Sequence, residues 1–195
     1  MLNSEEYDRH RRGARPRRGV SGVPAVSELL GLDRLLPTFV VGRSGVGKHA
    51  VVVAHIADYL ARGKSVLVLD CGMSYLGMAA TLGGSAVSLL PDGRHVAVAG
   101  GTAPFAVIDF ATLDDAPWED GLPELPGMAA LVPDGLVVVD ETHFVRRLFP
   151  SLPEFLRVHA ERGVGFCLTG QHEDDIAPFL GLPPPYRRVD LSLAA

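Results

Sequence analysis

"FVVGRSGVGKHA", Phe39 to Ala50, decides how the rest of the chain is read. Its entry, "TFVVG" from Thr38 to Gly42, is a short apolar strand, and "GKHAVVVAHIADYLARG" then continues at helical spacing to Gly63, a natural helix end. Strand, glycine-rich loop and helix in that order are the context in which GxxxxGK becomes a phosphate cradle. Gly42, Gly45 and Gly47 are expected to take positive φ and turn their amides toward one point at the positive end of the helix. The candidate nucleotide-binding residues are therefore Gly42, Arg43, Ser44, Gly45, Val46, Gly47, Lys48 and His49. Lysine occurs only at 48 and 64, and a compact ammonium reaches phosphates where a planar guanidinium is too large.

The loop departs from its pattern at His49, where a serine or threonine is expected. That hydroxyl is a hard oxygen ligand for magnesium, and imidazole replaces it poorly. Hydrolysis should suffer more than binding, with Mg2+ weakly held by phosphate oxygens and water. The ring could instead take a softer ion or turn outward.

Working outward, "SVLVLD" (65–70), "SAVSLL" (85–90), "GLVVVDE" (135–141) and "VGFCLTGQ" (164–171) read as continuously apolar strands alternating with helical stretches. "SYLGMAATLGG" is a short helix closed by Gly83 and Gly84, and "HEDDIAPFLG" another, with acids suited to a helix start. "DGRHVAVAGGTAPFAVIDF" suggests a β-hairpin and then an edge segment. Residues 142–163 read as helical with interruptions at Pro150 and Pro153, and "PPPYRRVDLSLAA" as the site of a last strand. Strands apolar on both faces, alternating with helices, predict a mostly parallel α/β sheet covered on both sides.

"GLVVVDE" delivers Asp140 and Glu141 to a carboxyl strand end, where ligands of open α/β sheets bind. There Asp140 would hold the metal and Glu141 would orient or deprotonate the attacking water, unless the two are simply a solvated acid pair. Gln171, ending the following strand, is a candidate γ-phosphate sensor or else a surface amide. Asp70, at the end of "VLVLD", is assigned to structure.

At 195 residues the chain is long enough for one domain with a real core. It is 47% hydrophobic and 21% charged, which suits a globular protein. Its apolar runs are too short to span a bilayer, so a cytoplasmic protein with no transmembrane segment is expected. Cys71 and Cys167, inside apolar runs, read as buried thiols. The net charge of −5 argues against nucleic acid, except through six arginines between Arg9 and Arg18. We divide the chain into a flexible basic arm, 1–22, and a P-loop NTPase-like domain, 23–195. Within the domain, 111–133 is an irregular acidic, proline-rich crossing or lid with at most one short helix around "LPGMAAL".

These pieces in order resemble the nucleotide-binding domain of conjugative-transfer ATPases of type IV secretion systems, the TraC/TrbE-like kind within the FtsK/HerA group. "VLVLDCGMSYLGMAATLGGSAVSL" looks like that family's strand, aspartate, glycine-x-serine-tyrosine turn, helix, double glycine and strand. "GLVVVDETHF" is similar to its Walker B strand, and "ERGVGFCLTGQHEDDI" to its sensor segment. The resemblance covers about 22–176 and implies a RecA-like fold. It also implies ATP or ADP as ligand, Lys48 on the β- and γ-phosphates, Asp140 near Mg2+, Glu141 as catalytic carboxylate and Gln171 as sensor. Members usually form hexamers, so a homo-oligomer or docking on a larger transfer ATPase is implied. Against the family, a reduced form is expected, without the long N-terminal portion and the helical insertion before Walker B. Arg146, Arg147, Arg162, Arg187 and Arg188 are candidates for an arginine finger. The expected function is a nucleotide-binding domain with slow or impaired ATP hydrolysis. The alternative is a non-catalytic nucleotide-binding or interaction module docking on a larger ATPase.

Overall fold

A computed structural model of the chain describes residues 37–90, 94–113, 135–179 and 186–191. The basic arm, most of the acidic proline-rich segment and the expected "LPGMAAL" helix lie outside the described residues.

The strands are β1 (Thr38–Val41), β2 (Val66–Asp70), β3 (Ser85–Leu89), β4 (His95–Gly100), β5 (Phe105–Asp109), β6 (Leu136–Val139), β7 (Gly165–Gly170) and β8 (Arg187–Asp190). The α-helices are α1 (Lys48–Ala61), α2 (Leu76–Leu82), α3 (Thr142–Leu148), α4 (Leu152–Ala160) and α5 (Glu173–Ile176). They build one eight-stranded sheet in the order β4-β3-β5-β2-β6-β7-β1-β8. Among the described residues only the β3–β4 pair is antiparallel.

Strand alternation sorts the apolar side chains into two cores, one per face. Phe39, Val41, Leu67, Leu69, Val137, Val139, Phe166 and Leu168 pack with α3, α4 and α5 on one side. Val40, Val66, Val68, Val138 and Cys167 meet α1 and α2 on the other. Central strands are thus buried on both faces, which is why they read as unbroken apolar runs.

Three expectations need correcting. "PFAVID" is no edge segment: β5 pairs with β2 and β3 in the sheet interior, and the edge is β4, the antiparallel partner of β3. Burial separates them, since β5 is nearly all buried and β4 nearly all exposed. Pro153 does not interrupt a helix but sits in the first turn of α4, where no N–H is needed. Gly42 is not among the positive-φ residues. A side chain there would meet Val46 Cγ2 at 2.7 Å, so glycine is kept for close packing, while Gly45 and Gly47 do take φ of 82° and 101°.

Cys167 is buried and Cys71 only partly so; both are free thiols. Burial pushes the Cys167 thiol up to about 12, which keeps it protonated and inert. No helix among the described residues is long and apolar enough to cross a membrane.

Candidate functional site

The site forms where β1, β7 and β6, adjacent in the sheet, end together. β7 lies between the phosphate-loop strand and the strand of the acid pair, so its terminal residues fall between Lys48 and Glu141. Gly42 N donates to Gly170 O at 3.2 Å and ties the ends of β1 and β7. After β1 the loop turns through Gly45 and Gly47, and Gly47, in the left-handed region, is the N-cap of α1. Its carbonyl already accepts from Ala50 N and Val51 N, so the helix starts with the loop folded back above it.

Lys48 is 8% exposed, and its Nζ donates to Gly42 O at 2.7 Å and lies 3.8 Å from Glu141 Oε1. β6 stops at Val139, and Asp140 and Glu141 form the turn into α3, with Glu141 at φ 49° and ψ 60°. A non-glycine residue there costs about 1–2 kcal/mol. Two bonds offset that strain: Glu141 N donates to Thr169 Oγ1 at 3.0 Å and to Asp140 Oδ1 at 3.2 Å. Thr169, fully buried, also donates to Asp140 Oδ1 at 2.5 Å. From the end of β7, Gln171 Nε2 donates to Glu141 Oε2 at 3.3 Å. Gln171 N and His172 N both donate to Asp175 Oδ2, at 2.7 and 2.9 Å, which fixes the turn carrying that glutamine. His143 Nδ1 lies 3.6 Å from Glu141 Oε2.

The structure therefore brings together Lys48, Asp140, Glu141 and Gln171. A cavity of about 600 Å³ joins Ser44, Gly45, Gly47, Lys48, His49, Asp140 and Glu141. His49 is exposed, and its ring packs on Tyr75 with centroids 4.8 Å apart. Among the finger candidates, Arg188 is held by Glu173 and by Asp190 at 2.9 Å, and Arg147 lies over the Phe144 ring.

Asp70 is structural, as expected: Oδ1 accepts from Gly72 N at 2.9 Å and Oδ2 from Tyr75 N at 3.0 Å. Burial raises its pKa, against the pull of those two amides. Asp109, at the end of β5, helps by accepting from Met73 N at 3.1 Å. Sequence reading missed Thr169, Asp175 and Asp109, and it quoted Ser74, which lines the same cavity, and Tyr75 only as part of the glycine-x-serine-tyrosine turn, with no role in the site. The available signal was positional: "VLVLD", "FAVID" and "LVVVD" each end on an aspartate, and "FCLTG" has one polar residue at its end.

The donor set fits magnesium in part. Asp140 offers a hard oxygen, with Oδ2 outside the bonds above, and the cavity is wide enough for phosphates. His49 brings no oxygen. Any magnesium here would lean on phosphate and water oxygens.

No protein-family model matches the chain, and no curated protein matches it. Among solved structures it is similar to VirB4 of Thermoanaerobacter pseudethanolicus, at 12% identity and a TM-score of 0.53, over 73% of this chain and 72% of that one. It is also similar to the genome packaging NTPase B204 from Sulfolobus turreted icosahedral virus 2. In complex with ATP-gammaS that protein gives 13% identity and a TM-score of 0.41, over 71% of this chain and 65% of that one. In complex with AMPPCP the figures are 16%, 0.44, 71% and 66%. The chain thus spans about two thirds of the B204 chains. The likeness to VirB4 is one of fold: the chain has an α/β, RecA-like fold, a mostly parallel sheet with helices on both faces. The resemblance to type IV secretion ATPases read from the sequence holds at that level.

Proposed function

We propose that the chain binds ATP and ADP in the loop from Gly42 to His49 and hydrolyses ATP slowly. The supporting observation is the convergence of Lys48 and Glu141 at one cavity, with Lys48 Nζ 3.8 Å from Glu141 Oε1 and Gln171 bonded to that same carboxylate. In this reading the amides of Gly45 to Lys48 and the Lys48 ammonium hold the β- and γ-phosphates. Lys48 then exchanges its Glu141 partner for phosphate, which frees the carboxylate. Glu141 accepts a proton from the attacking water as oxygen bonds to the γ-phosphorus and the bond to the β-phosphate oxygen breaks. Gln171, already bonded to Glu141, orients that water and senses the γ-phosphate. Magnesium, when bound beside Asp140, would neutralise phosphate charge.

Calorimetric titration with ATP and ADP, with and without magnesium, tests the cradle. Lys48→Ala should abolish binding, and binding unchanged in that variant would sink the reading. Glu141→Gln should keep binding and lose turnover by about a hundredfold or more. If His49 is what limits hydrolysis, His49→Thr should raise magnesium-dependent turnover; an unchanged rate would place the limitation elsewhere.

His49 favours a second reading: a non-catalytic nucleotide-binding or interaction module that docks on a larger transfer ATPase. Zero turnover at high enzyme concentration, with co-purification of such a partner, would select it. Under either reading we place the protein with a conjugative or type IV secretion system in the cytoplasm, as a homo-oligomer or bound to that partner. Nucleic acid would enter only through the arginines at 9–18.

A further inference from the structure

Glu141 is the N-cap of α3, and His143 is the second residue of that helix. The hydrolytic steps leave His143 unused, yet its ring lies between two acids of the site. Nδ1 is 3.6 Å from Glu141 Oε2 and 3.9 Å from Asp175 Oδ2. The helices that carry His143 and Asp175, α3 and α5, are held together because Val145 and Ile176 share one apolar core. Glycine at the end of β7 lets α5 close down on the strand: a Cβ on Gly170 would meet Asp175 Cβ at 2.8 Å and Oδ2 at 3.2 Å.

Two acceptors beside one ring nitrogen set the tautomer. A lone pair on Nδ1 would face carboxylate oxygen in both directions, so the proton belongs on Nδ1. The side chain is 45% exposed, and water can serve the other nitrogen. Asp175 Oδ2 already accepts from Gln171 N and His172 N, so its hold on His143 is electrostatic and Glu141 Oε2 is the hydrogen-bond partner. At 3.6 Å that contact is long, as catalytic contacts often are before substrate closes the site.

The Glu141 carboxylate is thereby divided between two sides. Oε1 faces Lys48 Nζ at 3.8 Å, toward the phosphate loop, while Oε2 faces Gln171 Nε2 at 3.3 Å and His143. We propose that His143 is a positioning residue for hydrolysis. Its Nδ1–H holds Oε2 and ties the base to the turn that carries Gln171, so that Oε1 is the oxygen presented to the attacking water. When Lys48 leaves Oε1 for phosphate, Oε1 opens toward the cradle and Oε2 stays held. The proton taken from water goes to Oε1, and His143 keeps its own throughout. This role rests on the reading of Glu141 as the base.

Two measurements on the full chain test it. The first needs neither nucleotide nor turnover: the ring nitrogen-15 shifts of His143 in mildly alkaline buffer, assigned by their loss in His143→Asn. The Nδ1–H tautomer is expected; the Nε2–H tautomer that a solvated imidazole favours overturns the contact. The second is ATP turnover with KM and kcat separated. His143→Ala should lower kcat about ten- to a hundredfold, the scale of a misplaced catalytic group, and leave KM and ADP affinity unchanged. His143→Asn, whose amide nitrogen takes the place of Nδ1, should restore most of the rate, and His143→Gln, whose amide reaches the place of Nε2, should not. An undiminished kcat in His143→Ala, alanine and asparagine behaving alike, or glutamine rescuing as well as asparagine overturns the role. A wild-type chain that binds ATP but shows no turnover overturns the reading of Glu141 as base and the role with it, and the tautomer then decides the His143–Glu141 contact alone.

Discussion

Glu141 sits in the left-handed region, at φ 49° and ψ 60°, between a buried strand and a short helix. Its position is set by Thr169, whose hydroxyl accepts from Glu141 N and donates to Asp140 in one arrangement. Thr169→Val keeps the shape and removes the oxygen, leaving Glu141 N with only the longer contact to Asp140. We expect a stability loss of about 1–3 kcal/mol, read by urea unfolding. Turnover should fall, with nucleotide binding kept, because the loop amides and Lys48 do not depend on this threonine. A variant with full turnover would show that Glu141 is held without it. The same economy applies at Gly45 and Gly47, whose positive φ makes each costly to replace even though nothing lies within 4 Å of an added Cβ.

Helix α1 carries chemistry at its far end that the site does not use. His55 and Tyr59, one turn apart, are both about 1% exposed, and both ring nitrogens and the phenol oxygen lack hydrogen bonds. Burial lowers the His55 pKa from 6.5 to about 4; Asp58 opposes the shift, and Arg187 and Arg62 add to it. The unfolded chain therefore takes up this proton first. Stability from neutral His55 is fully present above pH 6.5 and is lost as pH falls toward 4. The accumulated loss is about 3 kcal/mol at most. His55→Leu should flatten this part of the profile, so the gap in urea midpoint between pH 7.5 and 4.5 narrows; an unchanged gap would put the pH dependence elsewhere. Tyr59 also fixes a neighbouring strand. A Cβ on Gly165, the first residue of β7, would lie 1.9 Å from the Tyr59 hydroxyl. Gly165→Ala should cost about 1–3 kcal/mol in thermal unfolding, and adding Tyr59→Phe should recover part of it.

Across the whole molecule, the two sheet edges are protected unequally. β8 is lined by Arg187, Arg188 and Asp190, with Arg188 paired to Asp190. β4 has neither lysine nor proline, and Val96 and Val98 are 49% and 48% exposed. Among the described residues it pairs only with β3. Charges on an edge discourage strand pairing between chains, and bare apolar edges invite it. Val98→Lys should leave the unfolding midpoint within about 0.5 kcal/mol and raise the concentration at which the warmed chain scatters light. Scattering that does not change would clear β4 as the contact.

The sequence by itself determined whatever depends on neighbours along the chain. The strand, loop and helix from Thr38 to Ala61 were legible because their φ requirements, apolar spacing and glycine end are local. The acids at 140 and 141 were legible because an apolar run must end at a sheet edge where charge meets solvent. Only the tertiary structure decided what depends on pairing between distant segments. That β5 belongs inside the sheet follows from its partners β2 and β3, and no periodicity records a partner. Thr169 meets Asp140 across 29 residues, and His49 covers Tyr75 across two elements, so neither looks exceptional in its own stretch. The physical reason is the same in each case: backbone preference and hydrophobic pattern are written residue by residue, whereas a hydrogen bond or ring contact exists only once the sheet order has brought its two halves together.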